Sequence, residues 1–236
     1  GGCVSASQAG FRLGLVLASS MAFVGITTDR QIMAWGRAQM GGMVPPSIAS
    51  YVRESVDKVD YMVSTQGAIA LLVNDNSSVL CWGSASHGGN CSNLFADLQP
   101  AEKVTSMVSS EAAFAILTSL GRVLAWGAAD KGGSMSDGVQ AQLLSGAVQL
   151  VSSRKAFAVL KDDESVVAWG DDNTGGDSSR VSALLSSDVV FLLSGEAGFL
   201  AIKRDGQVVG WGDEASISQP GYQLPSVPPE CVPIMS

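Results

Sequence analysis

Five tryptophans recur along the chain at nearly constant spacing, and each is followed by glycine. They are Trp35-Gly36, Trp82-Gly83, Trp126-Gly127, Trp169-Gly170 and Trp211-Gly212. Successive tryptophans are 47, 44, 43 and 42 residues apart. A period of roughly 40–50 residues is typical of solenoids, propellers and repeat arrays. Within a unit, such as residues 151–176, two short apolar runs flank a tight polar turn, which predicts a β-hairpin. The chain is therefore predicted to be all-β and built from repeats.

The rest of the unit keeps register with tryptophan. A phenylalanine precedes it by twelve positions, except in the second unit, where Ile69 precedes Trp82 by thirteen because the turn has one extra residue. A glycine pair follows six positions later, except in the fifth unit, which has Ile217-Ser218 there. The predicted structural repeat residues are Phe23, Trp35, Gly36, Ile69, Trp82, Gly83, Phe114, Trp126, Gly127, Phe157, Trp169, Gly170, Phe199, Trp211 and Gly212.

These positions predict how the units pack. The residue before each tryptophan is small, which suits close approach by a neighbouring sheet, so tryptophan is expected to pack between sheets. Glycine after tryptophan suits a backbone with positive φ or a close contact. Each unit supplies about four short antiparallel strands, and residues 51–56 are expected to form a short helical turn. We predict a β-propeller of about five blades in a single domain, residues 1–236.

The two ends of the chain each hold part of a unit. Residues 1–18 and 213–236 are expected to pair and close the ring, because an open arc exposes apolar strand edges. The alternative is an open arc of five units. Residues 219–236 are proline-rich and predict an extended strap. If the ring closes, Cys3 and Cys231 approach each other and form a possible disulfide.

The pattern AF-A-x-L…G-x-V-x-A-W-G…GG resembles the repeat of the regulator-of-chromosome-condensation family over about residues 15–218. The resemblance implies a propeller of four-stranded blades, in the compact form found in algae and protists. The best-known members have seven blades, and they commonly carry His or Cys near the strand start. This chain has Ser20, Thr65, Ser110 and Ser153 there. The loops on which their guanine-nucleotide exchange depends have no match here, so the resemblance implies the fold and not that activity.

The residues predict no catalytic, cofactor-binding or metal site. His87 is the one histidine and is expected to be a solvated loop residue, so a histidine-based triad or multi-histidine metal site is implausible. The acidic loop of Asp171, Asp172, Asn173 and Asp177 carries oxygen ligands suited to Ca²⁺, but other units do not repeat it. The acidic run Lys161-Asp162-Asp163-Glu164 is expected to be a solvated hairpin turn. No phosphate-binding P-loop motif occurs.

Two further cysteines lie close together in the sequence. Cys81 takes the small position before Trp82, where a packed free thiol is the simpler interpretation. Cys91 lies ten residues later and is close enough in sequence to form a disulfide with it. A disulfide would indicate an oxidising compartment.

Charge and hydropathy limit the partners. The net charge is −8 and the few basic residues are scattered, which argues against nucleic acid. No run reaches the roughly 18 apolar residues of a membrane span, so membrane association is expected only through a partner.

The favoured function is a non-catalytic protein-interaction scaffold or structural subunit, with other protein subunits as partners and no cofactor. A specific form is an extrinsic subunit of a photosynthetic membrane assembly. The first residue is not Met, which suggests processing and a plastid-lumenal or secretory location, with the cytoplasm as alternative. The alternative functions are a signalling propeller, either an exchange factor or a ubiquitin-ligase substrate-binding domain, and, least favoured, an enzyme.

Overall fold

The repeats form a series of small antiparallel sheets. The computed structural model describes residues 13–29, 31–55, 59–73, 78–92, 94, 98–99 and 102–213. Within these ranges there are five sheets of three strands, and each sheet uses three consecutive strands of the chain.

The strands are, sheet by sheet, β1 (Leu13–Ala18), β2 (Ala22–Thr27) and β3 (Ile32–Gly36); β4 (Val59–Ser64), β5 (Ala68–Val73) and β6 (Ser78–Gly83); β7 (Val104–Ser109), β8 (Ala113–Thr118) and β9 (Val123–Gly127); β10 (Ala147–Ser152), β11 (Ala156–Lys161) and β12 (Val166–Gly170); β13 (Val189–Ser194), β14 (Gly198–Lys203) and β15 (Val208–Gly212). Two α-helices lie between sheets in the sequence, α1 (Pro46–Ser55) and α2 (Asp137–Gln142).

In each sheet the tryptophan of the third strand faces a large apolar residue of the middle strand, which is phenylalanine in four sheets and Ile69 in the second. Phe114 faces Trp126 and Phe157 faces Trp169 in the antiparallel register. In the four blades that have phenylalanine, the two ring centroids lie between 5.1 and 5.9 Å apart. Offset aromatic pairs at such distances add to the stabilisation from burial. The twelve-residue spacing seen in the sequence is thus the length of a hairpin that brings these rings together.

The hydrophobic core lies between sheets. The described buried residues form four clusters, and each joins one sheet to the next. The cluster between the third and fourth sheets contains Ala113, Ala115 and Leu117 of the third sheet together with Phe157 and Trp169 of the fourth. Small residues on one sheet therefore accommodate the large rings of the following sheet.

The first strand of each sheet lies nearest a common axis. Strand β10 contacts both β7 and β13, and β4 contacts both β1 and β7. The Gln149 side chain on β10 bridges to β13: its Nε2 donates to the Leu192 carbonyl, and its Oε1 accepts from the Leu192 N–H, both at 2.9 Å. The sheets are thus arranged side by side around an axis, and the predicted all-β propeller of five blades is confirmed.

Each blade has three strands in the described residues. The expectation of four is wrong for the third and fourth blades, where the chain that leads on from the blade is fully described. In these two blades that chain makes one hydrogen bond to the third strand and buries one leucine. The Val123 N–H donates to the Leu143 carbonyl and the Val166 N–H to the Leu185 carbonyl, both at 2.9 Å. Both leucines are almost fully buried. The helical turn expected at residues 51–56 is part of the longer helix α1, which buries Val52.

Ring closure stays a prediction. Most of the terminal segments expected to pair, including residues 219–236, lies outside the described residues, as do Cys3 and Cys231. No hydrophobic cluster of the described ranges joins the first sheet to the fifth. In these ranges no helix is long and apolar enough to cross a membrane.

Replacing Trp126 with alanine tests the role of the inter-sheet core. The side chain is only 7% exposed, so Trp126→Ala should lower the free energy of unfolding by about 3–5 kcal/mol. Urea denaturation followed by circular dichroism measures this. As a control, Leu144 is 58% exposed, so Leu144→Ala should cost under about 0.5 kcal/mol. Equal losses in the two variants would show that tryptophan does not hold the sheets together.

Candidate interaction surface

One end of the propeller carries two sets of turns, and we call it the loop end. The first set joins the first and second strands of each blade, at residues 19–21, 65–67, 110–112, 153–155 and 195–197. The second set follows the tryptophan-glycine pairs as short 3-10 turns, Ala38–Met40, Ala85–His87, Ala129–Lys131 and Asp172–Thr174. The hairpins between the second and third strands lie at the opposite end.

The four 3-10 turns share one backbone conformation. The residue before each turn is extended, with φ between −66° and −74°. The first glycine of the pair ends each turn in the left-handed region, with φ between 88° and 99°. The N–H of the second glycine donates to the carbonyl of the residue before the turn. For example, the Gly133 N–H donates to the Ala128 carbonyl at 2.8 Å. Four different sequences are therefore held in the same shape.

Steric contact explains why both glycines are needed. A Cβ on Gly132 would lie 2.5 Å from Cδ2 of Phe157 in the next blade. A Cβ on Gly133 would lie 2.5 Å from the Gly127 carbonyl oxygen of its own blade. Any side chain at the first position would push neighbouring blades apart, and any at the second would open the turn.

The tryptophan indole ties each blade to the preceding turn. Its Nε1–H donates to the carbonyl of the first glycine of the preceding pair, at 2.9–3.0 Å. The pairs are Trp82 with Gly41, Trp126 with Gly88, Trp169 with Gly132 and Trp211 with Gly175. These indole groups are buried, and a buried donor left without an acceptor is costly. Each turn is therefore fixed by the blade that follows it.

A serine or threonine hydroxyl ties three of the four turns to their own blades. Thr65 donates to the His87 carbonyl at 2.9 Å, Ser110 to the Lys131 carbonyl at 2.8 Å and Ser153 to the Thr174 carbonyl at 2.7 Å. Each hydroxyl also accepts from the backbone N–H three residues later. In the first blade Ser19, bonded to Ala22, holds this place, so the alignment that put Ser20 there is wrong by one residue.

Nearer the axis, backbone hydrogen bonds join the strand-connecting turns of successive blades. The N–H of Gln66 donates to the Glu111 carbonyl at 2.9 Å, that of Glu111 to Arg154 at 2.7 Å and that of Arg154 to Glu196 at 2.8 Å. The Arg154 guanidinium also pairs with the Glu111 carboxylate at 3.1 Å and the Glu196 carboxylate at 3.7 Å. This ladder aligns the turns, and its exposed side chains face solvent at the loop end.

The side chains presented by the 3-10 turns differ from blade to blade. We define the loop row as the residue before each turn with the first two turn residues: Arg37-Ala38-Gln39, Ser84-Ala85-Ser86, Ala128-Ala129-Asp130 and Asp171-Asp172-Asn173. The charge changes from basic in the first blade to acidic in the fourth. The Asp130 carboxylate pairs with Lys131, which lowers the pKa of Asp130 and raises that of Lys131.

A cavity of about 530 Å³ opens beside the acidic end of the loop row. It is bounded by Asp172, Asp177 and Arg180 of the fourth blade and by Trp211 and Asp213 of the fifth. The pKa of Asp177 lies below its ordinary value because the Ser179 N–H donates to its carboxylate at 2.8 Å. The described residues contain no group of three or more His, Cys, Asp or Glu placed to hold a metal ion, so the arrangement gives the Ca²⁺ interpretation no support.

His87 lies at the end of a loop-end 3-10 turn and is half-buried. Its Nδ1 lies 3.0 Å from the Ser86 hydroxyl and 3.2 Å from that of Ser84. Its position at the end of a 3-10 turn is shared by Met40, Lys131 and Thr174. The backbone carbonyl, which Thr65 binds, is the repeated feature here, and the imidazole belongs to one blade alone.

Cys81 and Cys91 form a disulfide, with Cα atoms 5.8 Å apart. The interpretation of Cys81 as a free thiol is therefore wrong. The bridge joins the third strand of the second blade to the chain beyond its glycine pair, and both residues pack against the cluster around Phe114 and Trp126. It stabilises the second blade on the side that contacts the third.

Comparison with known proteins supports the fold and leaves the family unassigned. No model of a known protein family matches the chain. No curated protein matches its sequence.

Solved structures do match. Prp20p from Saccharomyces cerevisiae superposes with a TM-score of 0.55 at 16% identity, covering 90% of this chain and 60% of Prp20p. Human WBSCR16 superposes with a TM-score of 0.54 at 15% identity, and the match covers 89% of this chain and 64% of WBSCR16. The CRINKLY WD40 ectodomain of the Arabidopsis thaliana receptor kinase ACR4 superposes with a TM-score of 0.50 at 16% identity. The match covers 86% of this chain and 70% of the ectodomain.

Prp20p is a yeast regulator of chromosome condensation. The chain therefore has the propeller fold of that family, as the repeat pattern predicts. Identities this low show the fold alone, and this chain spans 60% of the length of Prp20p.

Alanine substitutions at two glycines test how the turns are held. Gly132→Ala should destabilise the protein strongly, because the new Cβ meets the Phe157 ring of the next blade. We expect a loss of about 2–4 kcal/mol, in the range of overpacking and backbone strain. Gly138→Ala in helix α2 meets no atom within 4 Å, so it should be neutral or stabilise by up to about 1 kcal/mol. Thermal and urea denaturation of both variants measure the difference. Equal effects would contradict the close contact between turn and ring.

Proposed function

We propose that this protein is a non-catalytic interaction scaffold or structural subunit that binds another protein through the loop row. One observation carries the proposal. Four exposed segments share the same backbone geometry and carry different side chains. A framework that is constant where blades touch and variable where they face solvent is typical of repeat proteins that bind other proteins.

The loop row is also pre-ordered. Each 3-10 turn is closed by its glycine pair and fixed by an indole of the next blade and, in three of the four, by a hydroxyl of its own blade. Binding through such turns costs little loop-ordering entropy, so more of the contact energy appears as affinity. The charge change from Arg37 to Asp171 and Asp172 favours a partner surface of opposite polarity, which would set the orientation of binding.

A finer proposal is that the partner belongs to a photosynthetic membrane assembly in a lumenal compartment. The support is limited to three features: the algal form of the repeat, the net charge of −8 and the Cys81–Cys91 disulfide. Disulfides persist in oxidising compartments and are rare in the cytosol. The chain would then reach the membrane through its partner.

The second candidate is a signalling propeller. The structural similarity to Prp20p favours this candidate, because Prp20p binds Gsp1p and histones. The fold alone does not carry such activity from one protein to another. Nucleotide release from a small GTPase, stimulated by this protein at micromolar concentration, would favour the second candidate over the first.

Site-specific crosslinking tests which end binds. A photo-reactive residue replaces Ala38, Ser86, Ala129 or Asn173 on the loop row, and Ser119 or Asp205 at the opposite end as controls. All six positions are exposed. In native extract, we expect the same stoichiometric partner to crosslink from several loop-row positions and from neither control. Crosslinks from the controls alone would refute binding through the loop row.

Charge reversal then measures the contribution of the acidic turn. The double variant Asp171→Lys, Asp172→Lys should weaken binding to the crosslinked partner by about tenfold or more, which corresponds to 1.4 kcal/mol. The matched control is Asp162→Lys, Asp163→Lys, an acidic pair in a hairpin at the opposite end, and it should change affinity less than about twofold. Calorimetry or surface plasmon resonance measures the dissociation constant of each variant for the crosslinked partner. Equal weakening would indicate a general charge effect.

The location proposal has its own test. Peptide mapping without reduction, on protein from its native source, should recover Cys81 and Cys91 in one crosslinked peptide and shows whether Cys3 is joined to Cys231. In the purified protein, replacing both Cys81 and Cys91 with alanine should cost roughly 2–3 kcal/mol, the entropy of a ten-residue loop. Free thiols in native material would contradict an oxidising compartment while leaving the interaction proposal intact.

A further inference from the structure

The Cys81–Cys91 disulfide occupies two positions that other blades fill without a covalent bond. Cys81 lies immediately before its tryptophan, and Cys91 lies nine residues after it. The equivalent residues are Ala34 and Val44 in the first blade and Ala125 and Met135 in the third. All four are partly buried and pack against the hydrophobic cluster of an interface, as the two cysteines do. Reduced cysteines can therefore fill the same places as small apolar side chains, and the blade does not need the bond for its fold.

A cavity of about 240 Å³ opens beside the disulfide. Both cysteines line it, together with Ile48 of helix α1, Val79 of strand β6 and Ser92. The cysteines are half-buried and Ser92 is exposed. Access to sulfur is one of the factors that set the rate of thiol–disulfide exchange, and exposed disulfides are the labile ones. The cavity therefore gives a thiolate a route to the bond in the folded protein.

The bond holds the start of the connection between the second and third blades. Cys81 belongs to strand β6, and Cys91 lies just beyond the glycine pair. The 3-10 turn before the pair is held separately, by the Thr65 hydroxyl and the Trp126 indole. After the pair, the Leu94 N–H donates to the Cys91 carbonyl at 3.1 Å. Breaking the disulfide would therefore loosen the turn at residues 91–94 and leave the loop row in place.

We propose that Cys81–Cys91 is a thiol-exchange site, which a dithiol reduces in the folded protein by entering through the cavity. Reduction then releases the turn at residues 91–94 from strand β6. This proposal does not depend on the partner or the compartment suggested above.

The exchange takes two steps. A thiolate of the dithiol attacks Cys91 Sγ, the disulfide bond breaks, and Cys81 leaves as a thiolate that takes up a proton. The second thiol of the dithiol attacks the mixed disulfide and releases Cys91 as a thiol, so the dithiol is oxidised to its own disulfide. Attack falls on Cys91 because its neighbours Asn90 and Ser92 are exposed. Cys81, in contrast, lies in a strand beside the buried Trp82.

Reduction kinetics under native conditions test the proposal. Dithiothreitol is added to the folded full chain, free thiols are alkylated at intervals, and mass spectrometry follows the two cysteines. The variant Trp169→Ala weakens a cluster that contains no residue of the second blade. We expect its rate to stay within about twofold of the unmodified chain. An exchange that requires global unfolding would accelerate by more than about a hundredfold in this variant, and that result would overturn the proposal.

Sub-denaturing urea checks the same point without a substitution. Exchange through the cavity should be nearly independent of urea below the unfolding transition. A rate that rises steeply with urea would show that the bond is reached only after unfolding.

Closing the cavity tests the route. Ser92→Trp places a large ring at an exposed position of the lining and should slow reduction at least about tenfold. The matched control is Ser186→Trp, at another exposed serine, which should change the rate less than about twofold. Equal rates in the two variants would refute entry through the cavity. Thioredoxin at the same concentration distinguishes the source, since faster reduction than by dithiothreitol indicates a protein dithiol and slower reduction a small one.

Hydrogen exchange of the reduced protein tests the release. Reduction should accelerate exchange of the Leu94 N–H by at least about tenfold, because opening of one turn is local. The Gly89 N–H, which donates to the Ser84 carbonyl at 2.9 Å, should keep its rate, and the circular dichroism spectrum should be unchanged. Loss of the β-sheet spectrum on reduction, or a Leu94 rate that does not change relative to that of Gly89, would overturn the proposal.

Discussion

The contact between a tryptophan indole and the glycine-pair turn of the preceding blade is the interaction on which the rest of the structure depends. It combines a buried indole, a hydrogen bond of 2.9–3.0 Å and close packing of the glycine against the middle strand of the next blade. A side chain at the glycine would clash with Phe157, or with the residue equivalent to it in the other blades. Without glycine the two blades cannot approach, and without that approach the indole has no acceptor. This is why tryptophan, glycine and the glycine pair recur together in the sequence.

Much of the fold could be predicted because that contact leaves a strict pattern. The positions of Trp169 and Gly170 hold the same residue in all five units, and that of Phe157 holds phenylalanine in four, so the spacing repeats and predicts five blades. The number of strands per blade was harder to predict. Leu143 and Leu185 are apolar residues of the kind found in strands, but each makes only a single backbone bond to the third strand and leaves the chain free to form helix α2 or a 3-10 turn.

The surface was less accessible to sequence reasoning. The roles of Thr65, Ser110 and Ser153 depend on a carbonyl about twenty residues later. A hydroxyl that binds backbone leaves no pattern at the bound residue, since any side chain supplies a carbonyl. The ladder through Glu111 and Arg154 uses backbone groups on both sides and leaves no pattern at all. The Cys81–Cys91 pair was one of two open interpretations, because a small buried cysteine suits packing and bonding equally well.

The position of the core between sheets has a consequence for how such a chain can change in length. A blade carries one half of an interface on each of its two faces, and the halves are nearly the same in every unit. Removing or duplicating one whole unit, from one tryptophan to the next, exchanges an interface for an equivalent one and leaves no apolar surface newly exposed inside the series. Partial units have no such compensation. We therefore expect gain or loss of blades by recombination to be tolerated in whole steps of about 42–47 residues, with the loop row lengthened or shortened by one turn at each step.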